Sequence, residues 1–384
     1  METVCASAIT ALFEQYGFIH PGGAVYDDLR DKARAVGGAV GGGEAQWCLP
    51  DTAAFVFMAA LPYPLVTSCI AAPSDENDRG AIAPFAQANY YREAVSKLKK
   101  ISLAVREKTG IRKRDIRIFC NSPLPEKLFA SLLGVGFYGK NNLIITEKAG
   151  TACVLAGLIL YAGGNIVFDI PRLLLPVEYG KRCGSCTACI ENCPTGALTS
   201  APGAGTPSAE RSVERAAPAS RFEREKCLQN HAAACAMLEE SVMEAWGNRV
   251  YGCVSCQEIC PFNRGPFNRG AGAYNQGLED RDPFNRSSDG PGPSPPVTEK
   301  GVLGPCVSLE QFLALTSAEL SKKLKNTALD MNWIDVDAIK RNCLIAAAHR
   351  KAVRLVPLIR EYTEHTSPVL RETARWTLRK LGSD

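Results

Sequence analysis

The sequence lacks both an export signal and a long uncharged hydrophobic segment. Its first residues, Met1-Glu2-Thr3-Val4-Cys5, carry no basic cluster, and Glu14 interrupts the apolar stretch that follows; a secretory signal needs both features. The most apolar stretch, residues 151–168, is short for a membrane span and contains three glycines. We therefore expect two buried strands joined by a Gly-Gly turn there, a cytoplasmic protein and no membrane partner.

The net charge is also small, and histidine is rare. The formal charge is only +4 over 384 residues, which is too small to indicate a nucleic-acid-binding protein by itself, so any basic surface must be local. Nine basic and four acidic side chains lie between Arg341 and Asp384, an excess typical of either a solvated helical face or a phosphate-binding surface. The four histidines are scattered along the chain and predict no shared site.

Cysteine, by contrast, is abundant: the chain has 16. Seven of them form two runs, Cys183-Gly-Ser-Cys186-Thr-Ala-Cys189-Ile-Glu-Asn-Cys193-Pro194 and Cys253-Val-Ser-Cys256-Gln-Glu-Ile-Cys260-Pro261. The first has the C-x2-C-x2-C-x3-C-P spacing in which three thiolates hold one 4Fe–4S cluster and the fourth holds another. The second run ends in the same Cys-Pro pair, so the two runs predict two clusters that exchange ligands.

The predicted ligands follow from this exchange. Cys183, Cys186, Cys189 and Cys260 would hold the first cluster. Cys193, Cys253, Cys256 and one further cysteine would hold the second, and Cys227 is our choice for that ligand, with Cys235 as the alternative. A structural zinc site would leave the Cys-Pro ends unexplained, and a disulfide framework is typical of small secreted chains.

The remaining sequence predicts an α+β multidomain fold. Strand-like apolar runs alternate with helical segments over residues 1–175, which we interpret as an N-terminal α/β domain. A double-cluster ferredoxin-like domain would occupy 176–265, interrupted by a low-complexity insertion at 199–220, and a low-complexity linker would occupy 266–304. Residues 305–384 read as paired helices, which predicts a helical HEAT-like domain.

Taken in order, these segments resemble the epoxyqueuosine reductase family. The resemblance rests on Leu61-Pro62-Tyr63-Pro64, the turn Gly134-Val-Gly136-Phe-Tyr-Gly139-Lys140-Asn141, both cysteine runs with Cys193-Pro-Thr-Gly-Ala197 and Cys260-Pro-Phe-Asn263, and the helical tail. It extends from about residue 50 to the C-terminus.

The resemblance implies a cofactor, a substrate and partners. In this family a cobalamin lies in the N-terminal domain, two 4Fe–4S clusters supply its electrons, and the substrate is epoxyqueuosine in a tRNA anticodon. We accordingly expect cobalamin contacts from Lys140, Asn141, Tyr91, Gln229 and Val254. The expected partners are a tRNA anticodon stem-loop and an electron donor such as flavodoxin or ferredoxin, with the chain acting as a monomer. The family also places a lone cluster cysteine between the two runs, as Cys227 would be.

The sequence departs from the family at the position of the proton donor. There the family has an aspartate, whereas this chain has Asn121, and a carboxamide cannot donate a proton as a carboxylic acid does. Tyr91 replaces a family histidine. An alternative function is therefore an electron-transfer protein without tRNA reductase activity, and a third is a tRNA-binding protein with structural clusters.

Overall fold

The computed structural model describes residues 3–37, 49–65, 78–171, 174–201, 220–264 and 301–383. The predicted insertion at 199–220 and the predicted linker at 266–304 lie mostly outside the described residues. Within the described ranges, no helix combines the length and the apolar character that crossing a membrane requires.

Short strands and helices alternate along the chain. The strands are β1 (Val4–Cys5), β2 (Ile19–Val25), β3 (Phe55–Pro62), β4 (Arg79–Ile82), β5 (Ile116–Cys120), β6 (Phe137–Tyr138), β7 (Ile144–Ile145), β8 (Cys153–Leu160), β9 (Ile166–Val167), β10 (Leu198–Ser200), β11 (Ser220–Phe222), β12 (Arg249–Tyr251) and β13 (Cys306–Ser308). The α-helices are α1 (Ala6–Gln15), α2 (Tyr26–Gly37), α3 (Tyr90–Thr109), α4 (Glu126–Leu132), α5 (Ala188–Glu191), α6 (Leu228–His231), α7 (Glu240–Glu244), α8 (Ser255–Glu258), α9 (Leu309–Ala314), α10 (Ser317–Lys323), α11 (Val336–His349), α12 (Val356–Glu361) and α13 (Pro368–Lys380). This mixture agrees with the predicted combination of helices and strands.

The N-terminal half is built on a four-stranded sheet in the order β2-β3-β8-β5. All three pairings are antiparallel, and β3 pairs with β8 along its whole length, from Phe55 opposite Leu160 to Pro62 opposite Cys153. Helices cover both faces: α1 and α3 pack on the face of Phe57 and Leu158, and α2 and α4 pack on the face of Met58. Burial on both faces explains why β3 is a continuous apolar run rather than an alternating one.

The segment between α1 and α2 forms the edge strand β2. One detail of this half differs from the sequence-based expectation. The apolar stretch at 151–168 does contain two strands, but only the first is buried, and Val167 of the second is 52% exposed. β8 lies inside the sheet, and β9 pairs in parallel with β1.

A second sheet connects distant parts of the chain. Its order is β12-β4-β13, with β4 parallel to β12 and antiparallel to β13. Ile82, Val250, Val307 and Ile345 belong to one hydrophobic core, which extends through the helical tail to Leu378. The cysteine-rich region and the tail therefore share a single apolar interior.

Arg341, on α11, fastens the tail to the cysteine-rich region. Its side chain is fully buried and donates hydrogen bonds to the backbone oxygens of His231 (2.6 Å), Ala234 (2.8 Å) and Ala236 (2.8 Å). Burial lowers the pKa of Arg341 to about 10. This residue is one of the nine cations counted in the tail sequence, and its burial removes it from any phosphate-binding surface.

Candidate functional site

The cysteines of the two runs, which are far apart in sequence, meet in space. Cys183, Cys186, Cys189 and Cys260 line one cavity of about 220 Å³, here called the first thiol cavity. The helices α5 and α8 pack against each other, so Cys189 on α5 lies close to Cys260, which follows α8. Burial raises the pKa of the Cys189 thiol to about 11, and the charge of Cys260 adds to the increase.

A second cavity contains the other four candidate thiols. Cys193, Cys227, Cys253 and Cys256 line a space of about 320 Å³, here called the second thiol cavity. Burial raises the pKa of Cys256 well above its ordinary value, with further contributions from Cys253 and Cys227. Thiolates crowded in this way repel one another, and a bound cationic centre removes that penalty while releasing their protons.

The alternative ligand Cys235 lies in other surroundings. Burial raises its pKa to about 11, and its charged neighbours are Asp335, Arg341 and Asp337 from the helical tail. Cys227, in contrast, faces Cys253 and Cys193.

Among the described residues, no three His, Cys, Asp or Glu side chains are arranged to hold a single metal ion. The two cavities and the spacing of the cysteines therefore fit iron–sulfur clusters rather than a single metal ion.

The second thiol cavity opens into a larger one of about 500 Å³. We call the two together the cleft. The residues that line both parts are Tyr91, Lys127, Asn142, Leu143, Thr151, Cys153 and Val154. Four cysteines lie at one end of the cleft, and the loop that follows β5 lies at the other.

That loop carries Asn121 and is held by Glu126. The backbone N–H groups of Asn121 and Ser122 donate to the two carboxylate oxygens of Glu126, at 3.0 and 2.7 Å. Asn121 has a φ of 52°, in the left-handed region that asparagine tolerates better than most residues. Burial raises the pKa of Glu126, although these hydrogen bonds oppose the increase. Asn121 and Glu126 both line the cleft.

The structure separates the five residues expected to contact cobalamin. Tyr91, Asn141 and Gln229 line the cleft. Lys140 instead lines the first thiol cavity, and Val254 lines a different cavity of about 200 Å³ together with Arg249 and Glu258.

Sequence reasoning missed two polar features of the cleft. The ammonium of Lys127 donates to the backbone oxygen of Asn142 (3.0 Å), and burial lowers the pKa of this lysine. A buried network also joins Thr151, Gln257 and Asn263: the Asn263 amide donates to the Thr151 hydroxyl (2.8 Å) and to the Gln257 backbone oxygen (2.6 Å). Gln257 and Asn263 belong to the second cysteine motif, but its spacing does not indicate these hydrogen bonds, so only the folded chain reveals them.

Comparison with known proteins agrees with this arrangement. A family model described as a 4Fe-4S double cluster binding domain matches residues 182–263. The chain is 29% identical to the epoxyqueuosine reductase of Bacillus anthracis over 262 residues, which are 68% of this chain and 55% of that protein. It is 28% identical to the Bacillus subtilis enzyme over 260 residues, which are 67% of this chain and 54% of that protein. The chain is similar to the epoxyqueuosine reductases.

Solved structures share the fold. An epoxyqueuosine reductase from Bacillus subtilis, with its catalytic aspartate loop swung out of the active site, matches 98% of this chain and 90% of its own at 22% identity and a TM-score of 0.66. Another epoxyqueuosine reductase structure, which contains an epoxyqueuosine-modified tRNA-Tyr stem loop, gives the same values. The resemblance stated from the motifs is therefore confirmed. The matched region is about half the length of the curated relatives.

Proposed function

We propose that the chain is an iron–sulfur oxidoreductase that reduces epoxyqueuosine to queuosine in tRNA. Electrons would pass through two 4Fe–4S clusters to a cobalamin. The observation that carries this proposal is the grouping of the eight candidate cysteines in two cavities, the second of which is part of the cleft. A cluster there would meet a substrate or cofactor directly, without an intervening protein layer.

The residues present fit the two clusters. The first cavity offers four thiols, the number of ligands that a 4Fe–4S cluster takes from protein, and the second offers the four candidate thiols together with Cys153. The proposed ligands are Cys183, Cys186, Cys189 and Cys260 for the first cluster and Cys193, Cys227, Cys253 and Cys256 for the second. Placement among the second set favours Cys227 over Cys235.

The cleft suits a flat organic cofactor. Its two parts measure about 320 and 500 Å³, within the usual range of cofactor sites, and Tyr63, Phe85, Tyr91 and Tyr138 contribute aromatic surface. When bound, a reduced corrinoid supplies the strongly reducing chemistry that removes the epoxide oxygen. Tyr91 and Gln229 would hold and orient it from the sides of the cleft, beside the cysteines that would bind the second cluster.

The reaction also requires protons. Removing the epoxide oxygen as water consumes two electrons and two protons and leaves a carbon–carbon double bond. Asn121 cannot donate a proton. The acidic side chain nearest to it is Glu126, whose raised pKa keeps a larger protonated fraction than an exposed glutamate would have. We propose that Glu126, which lines the cleft, supplies one of the two protons.

A tRNA partner is supported by the helical tail. Arg379 is exposed on α13 alongside Arg375 and Lys380, which form ion pairs with Glu372 and Glu244, and cations on one helix suit a phosphate backbone. Trp333 is 49% exposed and meets the ring of Tyr91 edge to face, with 6.3 Å between ring centroids. An exposed aromatic ring beside the cleft can stack on an unpaired base.

We also propose a domain organisation for the chain. The ranges 1–175, 176–265 and 305–384 remain the proposed N-terminal, double-cluster and HEAT-like domains. We further propose a cytoplasmic monomer that receives electrons from a flavodoxin or ferredoxin.

Anaerobic purification with cobalamin supplied tests the proposal. We expect about eight irons and eight sulfides per chain, as two 4Fe–4S clusters require, together with stoichiometric cobalt. With reductant, an epoxyqueuosine-containing stem loop should lose the mass of one oxygen atom. Protein that takes up iron but no cobalt would refute cobalamin-dependent reduction.

Iron uptake without cobalt would support a second candidate function, an electron-transfer protein without substrate chemistry. The observation that favours it is Asn121 at the position where the family has an acid. Such a protein would transfer electrons from its clusters to a partner and leave the stem loop unchanged.

A further inference from the structure

The turn Gly139-Lys140-Asn141 places two buried hydrogen-bond donors beside the thiol cavities. Asn141 is 5% exposed and Lys140 is 7% exposed. Asn141 lines both thiol cavities, and Lys140 lines the first. Both side chains are therefore placed where a group bound in these cavities would contact them.

The amide of Asn141 has one bonded end and one free end. Its Oδ1 accepts a hydrogen bond from the backbone N–H of Leu143 (3.2 Å), which fixes the orientation of the amide. Its Nδ2 is buried and has no hydrogen-bond partner within the described part of the chain. A buried donor left without a partner costs about 1–3 kcal/mol, so this geometry indicates a ligand atom that accepts from Nδ2.

Lys140 presents a buried positive charge to the first thiol cavity. Its Nζ donates to the backbone oxygens of Gly184 (2.7 Å) and Cys186 (2.9 Å), both in the first cysteine run. These partners are neutral, and the side-chain ion pairs found among the described residues do not include Lys140. Buried charges are normally compensated by an opposite charge. A 4Fe–4S cluster held by four thiolates supplies it, because the sulfides and thiolates outweigh the charge of the irons.

Glycine at position 139 makes this placement feasible. A Cβ atom there would lie 2.6 Å from Oδ1 of Asn141 and 2.6 Å from the side chain of Ile145. Only glycine therefore lets the amide pack against the turn. The backbone N–H of Lys140 also lies within hydrogen-bonding reach of the Cys183 thiol.

We propose that Lys140 and Asn141 set the reduction potentials of the two clusters. Lys140 neutralises charge on the cluster of Cys183, Cys186, Cys189 and Cys260, and Asn141 donates a hydrogen bond from Nδ2 to a cluster sulfur. Both interactions strengthen as a cluster gains an electron, so both raise its potential. The inference rests on the proposed cluster binding but not on tRNA or on cobalamin.

The test is an anaerobic redox titration of the full chain, followed by electron paramagnetic resonance, with iron and sulfide quantified in every sample. Asn141→Leu removes the donor, Asn141→Asp adds a negative charge, and Asn141→Ser retains a donor. Replacing one hydrogen bond to a charged group should change the one-electron equilibrium constant about tenfold, which corresponds to about 59 mV. We expect the reduction potential of the cluster that accepts this hydrogen bond to fall in Asn141→Leu and to fall further in Asn141→Asp. In Asn141→Ser it should stay closest to the native value.

Lys140 is tested in parallel. Lys140→Met should lower the potential of one cluster only, and Lys140→Arg should preserve it. The matched control is Asn192→Ala, because Asn192 adjoins Cys193 but is exposed and its amide already donates to the Ser255 backbone oxygen (2.8 Å). We expect the native potentials in that control.

The outcomes separate this inference from the proposed function. Full iron and sulfide content with native potentials in Asn141→Leu, Asn141→Asp and Lys140→Met would overturn the inference and leave the clusters in place. A native chain that binds no iron would overturn the proposed function itself. If Lys140→Met fails to retain iron, the reduction potentials of the three Asn141 variants decide whether the inference holds.

Discussion

Restoring an acid at position 121 is the sharpest test of the proposed reaction. In Asn121→Asp, a carboxyl group replaces a carboxamide of nearly the same size at one end of the cleft. Aspartate tolerates the left-handed backbone of this residue, which has a φ of 52°, as asparagine does. The backbone hydrogen bonds from residues 121 and 122 to Glu126 do not involve the changed side chain. We therefore expect the loop to keep its conformation.

The native chain would rely on Glu126 for a proton, and Asn121→Asp adds an acid at the position of the family's donor. A positioned general acid accelerates a reaction by about 10²–10⁴-fold, and turnover by Asn121→Asp should rise by up to that factor. The neighbouring carboxylate of Glu126 should raise the pKa of the new acid above about 3.9. Its activity should be highest at low pH and fall as pH rises through that raised pKa.

The assay measures single-turnover reduction of an epoxyqueuosine stem loop by mass spectrometry, with iron, sulfide and cobalt matched between proteins. Asn142→Asp is the matched control. Asn142 also has a left-handed backbone, with a φ of 59°, and also lines the cleft. Its Oδ1 already accepts from the Tyr179 hydroxyl (2.8 Å), so a carboxylate there should remain bonded and give no gain.

An unchanged rate in Asn121→Asp at every pH, with native cofactor content, would refute the reasoning. Proton transfer would then not limit the reaction, or the substrate would be a different molecule. Equal gains in both variants would instead attribute the effect to charge in the cleft rather than to a positioned acid.

Three further predictions follow from the same geometry. Cys227→Ser should lose about half of the bound iron, whereas Cys235→Ser should lose none; equal losses in an iron assay would contradict the assignment. Because burial raises the pKa of Glu126, its contribution to stability is full below its ordinary value of 4.5 and falls as pH rises through the raised pKa. Glu126→Gln should abolish that dependence, seen as a pH-dependent difference in unfolding free energy from the native protein; a constant difference would contradict it. Arg341→Met should lower the unfolding free energy by about 1–3 kcal/mol, because it removes the hydrogen bonds that the guanidinium donates to three partly buried backbone oxygens; no measurable loss in denaturant titrations would contradict this role.

The sequence predicted which cysteines lie together because the short intervals between them restrict the local backbone geometry. Short intervals between Cys183, Cys186 and Cys189 place three thiols around one point. The spacing does not distinguish Cys227 from Cys235, since both lie between the two runs. Only the fold separates them: Cys227 precedes α6 beside the second run, and Cys235 lies against Arg341.

Strand direction and the environment of Lys140 were harder to predict. An apolar run buried on both faces indicates a central strand but does not encode whether its neighbours are parallel or antiparallel. The resemblance to the epoxyqueuosine reductases predicted that Lys140 contacts a cobalamin. Its actual neighbours, Gly184 and Cys186, lie 44 and 46 residues further along the chain, a separation that no local pattern encodes.

The sheet β12-β4-β13 has a consequence for how the molecule is made. Strand β4 lies early in the chain, and its two partners arrive only with residues 249–251 and 306–308. During synthesis, both edges of β4 stay exposed until most of the polypeptide has left the ribosome, and exposed edges invite pairing with other chains. Removing the tail, which contains β13, would leave one of these edges permanently exposed. A shortened protein lacking the tail should therefore aggregate rather than behave as an independent N-terminal module.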